Sequence, residues 1–151
     1  MITIDEFKKK LSNGSRLLGI DLGTKRIGIS ISDYNQKIAT PLQTLEKSKQ
    51  VKFIDELESI IKENDIKGII IGNPINMNGT YGKSSQSAKD TAINISNKFN
   101  IPVSLWDERL STVGAFNLSS ELDVNVSKRE KDIDKFAAAF ILQGALDFIQ
   151  N

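Results

Sequence analysis

Residues 17–33 have the sequence Leu17-Leu18-Gly19-Ile20-Asp21-Leu22-Gly23-Thr24-Lys25-Arg26-Ile27-Gly28-Ile29-Ser30-Ile31-Ser32-Asp33. The first half is apolar, which is typical of a buried strand. The second half alternates isoleucine with glycine or serine, which indicates a strand with one buried face. A tight turn that begins at Gly23 is therefore predicted to join two strands.

An aspartate, Asp21, closes the apolar half of this segment. A carboxylate that leaves the interior of a sheet is costly unless a cation, hydrogen-bond donors or a metal ion stands against it. Aspartate and glycine are also common in turns for conformational reasons alone. The turn by itself leaves a functional and a structural role for Asp21 open.

The pattern on either side of this hairpin predicts further strands and helices. Ile4, Phe7 and Leu11 recur at helical spacing before Gly14, so a short helix is predicted as an N-terminal appendage. A third strand is predicted at 38–45, with Pro41 at an edge or an interruption. A helix at 51–64, a central strand at 67–72 that is apolar on both faces, a helix at 88–99 and a strand at 102–106 follow.

The last third of the chain is predicted to be helical but interrupted. A short helix is expected at 111–118 and a mobile loop at 119–130, because the latter stretch is polar and weakly periodic. A long terminal helix follows, with Asp132 or Asp134 near its start. The fold class is α/β, with one mixed five-stranded sheet and helices packed on both faces.

Length and composition restrict the chemistry. The chain has 151 residues, enough for one core, and its 20 Lys+Arg against 19 Asp+Glu indicate neither a general nucleic-acid binder nor an acidic tail. It has no cysteine and no histidine, which excludes disulfides, thiolate chemistry, histidine triads and Cys/His zinc sites. No apolar run approaches ~18 residues and no signal peptide is recognisable, so a soluble, cytoplasmic protein without membrane partners is expected.

Acidic residues lie where such a fold could bring them together: Asp21, the pair Asp107-Glu108 after the fifth strand, and Asp134. Parallel strands end at one edge of a sheet, and strands separated by one other place their ends ~10 Å apart. Mg²⁺ or Mn²⁺ relieves the repulsion within such a cluster, and two ions ~3.5–4 Å apart can promote phosphodiester hydrolysis. Taken singly, Asp134 could favour its helix start, and Asp107 and Glu108 could be solvated or paired with Arg109.

Four segments, in order, resemble the signature motifs of the YqgF family, which comprises bacterial proteins described as Holliday-junction resolvases and as pre-16S ribosomal RNA nucleases. The resemblance covers roughly residues 16–148. The segments are Gly19-Ile20-Asp21-Leu22-Gly23-Thr24-Lys25-Arg26-Ile27-Gly28, Gly72-Asn73-Pro74-Ile75-Asn76-Met77-Asn78-Gly79-Thr80, Asp107-Glu108-Arg109-Leu110-Ser111-Thr112 and Asp134-Lys135-Phe136-Ala137-Ala138-Ala139-Phe140-Ile141-Leu142-Gln143.

The resemblance implies an RNase H-like nuclease domain at 16–151 after an N-terminal extension at 1–15. It implies divalent-metal-dependent cleavage of a nucleic-acid phosphodiester, with Mg²⁺ or Mn²⁺ as cofactor, and a role in maturing the 5′ end of 16S rRNA. Asp21, Glu108 and Asp134 are then the catalytic, metal-binding acids. A resolvase acting on junction DNA and a non-catalytic RNA- or protein-binding module are the alternatives, and precursor ribosomal particles are candidate partners.

Two departures from the family pattern affect the site. Related resolvases carry an acid at the end of the fourth strand, but here that strand ends Gly72-Asn73-Pro74. The second carboxylate must therefore come from Asp107 or Glu108, which strand alternation places on opposite faces, and we favour Glu108 for its reach. Asn78 replaces the family's usual aspartate, which suggests hydrogen bonding or turn geometry at that position.

Cations beside these acids are candidate substrate contacts. Lys25, Arg26 and Arg109 could hold the phosphates that flank the cut, or could balance the carboxylates. Asn73 begins a polar loop that could order around a nucleic-acid backbone. Lys128, Arg129, Lys131 and Lys135 form a second basic stretch beside Asp134.

Two aromatic side chains, Trp106 and Tyr81, could stack on a base, with packing favoured for Trp106. The opening Asp-Leu-Gly-Thr also resembles the phosphate loop of actin-like ATPases and sugar kinases. Those proteins need two such lobes to enclose a nucleotide, and 151 residues supply one. Nucleotide hydrolysis is therefore disfavoured.

Overall fold

The computed structural model describes residues 1–47, 49–74, 82–107 and 126–151. Within these ranges the order of strands and helices agrees with the order predicted from the hydrophobic pattern. The elements are α1 (Ile4–Lys10), β1 (Arg16–Leu22), β2 (Arg26–Ser32), β3 (Ala39–Glu46), α2 (Gln50–Glu63), β4 (Ile66–Asn73), α3 (Lys83–Phe99), β5 (Val103–Asp107) and α4 (Val126–Gln150).

The strands form one mixed sheet in the order β3-β2-β1-β4-β5. β1, β2 and β3 form an antiparallel meander, whereas β1 pairs with β4, and β4 with β5, in parallel. Pro41 lies in the edge strand β3, and the register of the β2–β3 pair shifts between Ile29 and Ser30, the latter paired with Pro41. The predicted edge position of this proline is confirmed, since proline has no backbone N–H to donate to a neighbouring strand.

The turn between β1 and β2 is held by backbone hydrogen bonds. The N–H of Gly23 donates to the carbonyl of Arg26 at 2.9 Å, and a Cβ at Gly23 would lie only 2.5 Å from that oxygen. Lys47, just after β3, donates its backbone N–H to the carbonyl of Lys25 at 2.9 Å and its Nζ to the carbonyl of Gly23 at 3.3 Å. The meander therefore fixes the position of the turn.

Each face of the sheet carries its own core. On one face, which we call the α2/α3 face, Phe53 of α2 and Ile95 of α3 pack with alternate residues of β1, β2, β4 and β5. On the other, the α4 face, Leu142 and other residues of α4 pack with Leu17 and Ile70. The predicted arrangement of helices on both faces is confirmed.

The N-terminal segment packs onto the sheet. Phe7 of α1 is fully buried with Leu17, Ile70 and α4. Ile2 forms a parallel bridge with Ser104, and its N–H donates to the carbonyl of Val103 at 2.9 Å. The segment predicted as an appendage therefore fills part of the core and covers the outer edge of β5, which limits pairing with other chains.

The terminal helix begins earlier than predicted. The expected loop at 119–130 is wrong for 126–130, which are helical, because lysine, arginine and glutamate favour helix without giving an apolar stripe. Asp134 therefore lies about two turns inside the helix instead of near its start. The short helix predicted at 111–118 lies outside the described residues, as does the first part of the predicted loop, 119–125. In the part of the chain described, no helix is both long enough and apolar enough to cross a membrane.

Candidate active site

Asp21 lies at the carboxyl end of the central strand β1, on the α4 face. Side chains alternate along a strand, and Leu17 belongs to the α4-face core whereas Leu18 and Ile20 belong to the other. Asp21 is partly exposed, and its Cα partner in β2 is Gly28. The position predicted from the sequence, at the end of a buried strand, is thus confirmed.

Asp134 is brought to the same place by a close approach of α4 to the sheet. A Cβ on Gly28 would overlap the backbone carbonyl of Asp134, so only glycine fits between the strand and the helix there. The close approach continues along α4. Ser30 Oγ donates to the carbonyl of Ala138 at 2.8 Å, and a Cβ on Gly19 would lie 2.8 Å from the Cβ of Leu142. The structure therefore brings together Asp21 and Asp134, two of the predicted acids.

Arg26 completes this group. Its Nε donates to Oδ2 of Asp134 at 2.7 Å, and the two side chains are only 27% and 20% exposed. Partial burial makes this charge-assisted hydrogen bond stronger than a typical surface ion pair. Of the two roles considered for Arg26, the one seen in this structure is neutralisation of a carboxylate.

Asp107 and Asn73 belong to the opposite face of the sheet. The two residues are Cα partners, and Asp107 follows Val103 and Leu105, both of which contribute to the α2/α3-face core. Asn73 is buried, and its Oδ1 accepts a 2.6 Å hydrogen bond from Ser85 Oγ at the start of α3. The structure therefore does not place either side chain beside Asp21.

The remaining predicted residues differ in how far the structure describes them. Lys25 is exposed on the β1–β2 turn. Trp106 packs against the α4-face core, with its ring 6.1 Å from that of Phe148, which confirms the favoured packing role. Glu108, Arg109, Asn78 and Tyr81 lie outside the described residues, as do the side chains of Lys128, Arg129 and Lys131.

Two features of the site were missed from the sequence. Gly28 is part of the alternating strand and of the first family motif, but neither pattern predicts its contact with α4; the signal is that the inward residues 28 and 30 are glycine and serine, which allow a helix to approach closely. Lys47 holds the turn through its backbone and side chain. Nothing in the sequence around Lys47 distinguishes it from other surface lysines.

The donor atoms of the site suit a hard cation. Asp21 and Asp134 offer carboxylate oxygens, the ligands that Mg²⁺ and Mn²⁺ prefer, and both side chains are partly accessible. Among the residues that the structure describes, no three acidic side chains lie close enough to hold a metal ion. Two carboxylates suffice for Mg²⁺ when water and substrate supply further ligands, so the residues present fit such an ion.

Comparison with known sequences gives a family. The sequence model of the family described as "RuvX: Holliday junction resolvase" matches residues 15–148. The chain belongs to the RuvX family. This result confirms the predicted YqgF-type relationship. RuvX proteins are nucleases, which are hydrolases that act on phosphodiester bonds.

Curated relatives of this RuvX chain share its full length. A protein of Pelagibacter ubique named "Putative pre-16S rRNA nuclease" is 63% identical over 151 residues, which is 100% of both chains. A protein of the same name from Ruegeria pomeroyi is 42% identical and covers 99% of this chain and 97% of its own.

Solved structures with the same fold include RuvC of Thermus thermophilus. RuvC in complex with a Holliday junction substrate matches with a TM-score of 0.56 at 12% identity, over 91% of this chain and 96% of RuvC. A second RuvC structure from the same organism gives a TM-score of 0.53. The RuvX chain therefore has the RNase H-like fold that the resemblance implied.

Proposed function

We propose that this RuvX protein is a divalent-metal-dependent nuclease that cleaves RNA and matures the 5′ end of pre-16S rRNA in the cytoplasm. The observation that carries the proposal is the contact between Gly28 and Asp134, which sets two carboxylates on one face at the carboxyl edge of the sheet. The name shared by the full-length relatives supports pre-16S rRNA as the substrate.

Three acids would hold the ion: Asp21, Asp134 and Glu108. Asp107 faces the α2/α3 core side together with its partner Asn73, which supports Glu108 as the acid that follows β5. When bound, Mg²⁺ or Mn²⁺ would activate the attacking water and stabilise the leaving oxygen of the phosphodiester. The chain's own contribution is to hold the carboxylates in position through strand β1 and helix α4.

Substrate contacts are proposed around the same edge. The exposed Lys25 on the β1–β2 turn would meet backbone phosphates, with Arg26 and Arg109 beside the acids. Asn73 is buried and hydrogen-bonded to Ser85, so its proposed part is to fix the end of β4 relative to the start of α3. Precursor ribosomal particles are the proposed partners.

Junction DNA is a second candidate substrate. The description of the RuvX family names Holliday junctions, and the T. thermophilus RuvC of similar fold was solved with such a junction. The full-length relatives carry the rRNA name, so we rank RNA first.

The test uses end-labelled RNA that spans the mature 5′ end of 16S rRNA, a shuffled RNA and a four-way DNA junction, each with Mg²⁺, Mn²⁺ or EDTA. We expect cleavage of the precursor RNA that EDTA abolishes. Asp21→Asn and Asp134→Asn should each slow it by about 100-fold or more, because a catalytic metal ion contributes several kcal/mol. Asp147→Asn, in an exposed position of the same helix α4, is the matched control.

Three results would contradict parts of the proposal. Full activity in Asp21→Asn would exclude the assigned metal site. Cleavage of the junction but not of the RNA would make the protein a resolvase. RNA binding without cleavage under every metal condition would favour a non-catalytic module.

A further inference from the structure

We propose that Arg26 is a built-in counter-cation for Asp134, which the metal ion displaces when it binds. This inference rests on the proposed function, because it concerns how the same site accepts its metal. The observation behind it is the 2.7 Å hydrogen bond from Arg26 Nε to Asp134 Oδ2.

The geometry places the guanidinium within the group of acids. Arg26 and Gly28 are two residues apart in β2 and therefore face the same side of the sheet. Gly28 is the Cα partner of Asp21 and contacts the backbone of Asp134. The Arg26 side chain thus lies on the face, and at the edge, where the two carboxylates come together.

A positive charge is needed there when no metal is bound. Asp134 is 20% exposed, so its carboxylate has lost much of its hydration, and a second carboxylate, that of Asp21, lies on the same face. Arg26 supplies the compensating charge and a directed donor. The 2.7 Å hydrogen bond therefore holds this cation on the carboxylate that is proposed to bind the metal ion.

The guanidinium and a metal ion compete for the same carboxylate. Mg²⁺ binds carboxylate oxygens at about 2.0–2.1 Å, so an ion on Asp134 would lie close to a guanidinium whose Nε is 2.7 Å from Oδ2. Two cations held that close repel each other. An ion bound through Oδ2 therefore requires Arg26 to move away from that oxygen.

Displacement of Arg26 would couple binding of the metal ion to binding of the substrate. The released guanidinium remains next to the exposed Lys25, at the edge where phosphates are proposed to bind. Arginine binds phosphate through a planar set of donors and holds its charge at every physiological pH. Metal binding would thus convert Arg26 from a carboxylate partner into a phosphate ligand.

Mn²⁺ affinity, measured by calorimetry without nucleic acid, tests this directly. If Arg26 competes with the ion, Arg26→Gln should bind Mn²⁺ about fivefold more tightly or better, whereas Arg26→Lys, which keeps the charge, should stay near wild type. If Arg26 instead only orients Asp134, Arg26→Gln should bind Mn²⁺ more weakly. Arg16→Gln is the matched control, because Arg16 lies at the opposite end of β1 and donates to the carbonyl of Ser32.

A second readout follows the displacement itself. The Nε–H of Arg26 should give a nuclear magnetic resonance signal that is protected from solvent exchange and is absent from Arg26→Lys. Titration with diamagnetic Mg²⁺ should remove that protection, while the Nε–H signal of Arg16 should remain unchanged.

The outcomes separate this inference from the function on which it rests. Unchanged or weaker Mn²⁺ binding by a folded Arg26→Gln variant would overturn the competition but leave the metal site intact. Persistent protection of the Arg26 Nε–H at saturating Mg²⁺ would do the same. Failure of the wild-type protein to bind Mn²⁺ at all would overturn both proposals.

Discussion

At the scale of single residues, Gly28 sets the distance between the terminal helix and the β1–β2 hairpin. Its missing side chain lets the backbone of Asp134 rest on the strand directly opposite Asp21. A methyl group here would push the helix away from the strand, since the atoms that it meets belong to the helix backbone and cannot rotate away. Few positions in the chain connect backbone geometry so directly with the proposed chemistry.

Gly28→Ala should therefore weaken Mn²⁺ binding and slow RNA cleavage, with a loss of stability of about 1–3 kcal/mol from overpacking. Gly68→Ala is the matched control. Its new methyl group would meet Phe7 Cζ at 2.8 Å and Leu17 Cδ2 at 2.9 Å, both ends of side chains in the α4-face core. We expect Gly68→Ala to lower stability in urea unfolding but to bind Mn²⁺ normally. Wild-type Mn²⁺ affinity in Gly28→Ala would refute this account.

Asp33, just after β2, gives a pH prediction. Hydrogen bonds from the backbone N–H of Ile38 at 3.0 Å and of Lys37 at 2.8 Å lower the pKa of its carboxyl group. Asp33 therefore stabilises the fold above the unfolded pKa of about 3.9, and this contribution is lost as pH falls through the lower folded pKa. Urea midpoints measured from pH 2 to 7 should fall less steeply in acid for Asp33→Asn, and parallel curves would contradict the prediction.

At the scale of elements, α1 adds a large apolar side chain to a core that the sheet and α4 form. Phe7 is fully buried there, whereas Val51 on α2 is 72% exposed. The two residues offer a direct comparison between a buried and an exposed apolar side chain of a helix.

Phe7→Ala should destabilise the protein by about 3–5 kcal/mol, the usual cost of removing a buried phenylalanine ring. Val51→Ala, in an exposed position, should change stability by less than about 0.5 kcal/mol. Urea unfolding followed by circular dichroism measures both. Equal midpoints for Phe7→Ala and wild type would mean that α1 does not contribute to the core.

The sequence predicted the elements well where apolar residues repeat. The hairpin at 17–33, the central strand β4 and the helix on Ala88, Ala92 and Ile95 all follow from their periodicity. The start of α4 was missed because residues 126–130 carry helix-forming but polar side chains. Periodicity depends on the spacing of apolar residues, so it cannot detect a helical turn whose sequence has no apolar stripe.

The site could be predicted only in part. Asp21 and Asp134 were identified as candidates, but the pairing of Arg26 with Asp134 joins residues 108 positions apart and depends on how α4 sits on the sheet. Strand alternation showed that Asp107 and Glu108 face opposite ways without fixing which faces Asp21. The structure answers this for Asp107, because Val103 and Leu105 anchor the alternation in the α2/α3-face core.

At the scale of the whole molecule, the net charge of +1 makes nucleic-acid binding depend on local cations. Long-range attraction of RNA should therefore be weak, and the salt dependence of affinity should report the few cations in contact with phosphates. Lys25 lies at the proposed edge, whereas Lys98, in the last turn of α3, is at the other end of the molecule's parallel strands.

Lys25→Gln should lower the slope of log affinity against log salt by about 0.7, the value for one contact with a single strand. Lys98→Gln should leave the slope unchanged. Fluorescence anisotropy with a labelled single-stranded RNA, in EDTA to prevent cleavage, gives both values. Identical slopes for Lys25→Gln and wild type would remove Lys25 from the proposed interface.

The long separation between the two halves of the site also has a consequence during synthesis. Asp21 and Arg26 leave the ribosome before Asp134 and the helix that carries it, which emerge more than a hundred residues later. The hairpin and meander form between residues that are close in the sequence, whereas α4 contacts β2 across a separation of 108 residues. Until α4 has emerged and docked, the nascent chain therefore lacks the Arg26–Asp134 contact and the acid that α4 brings to this edge of the sheet.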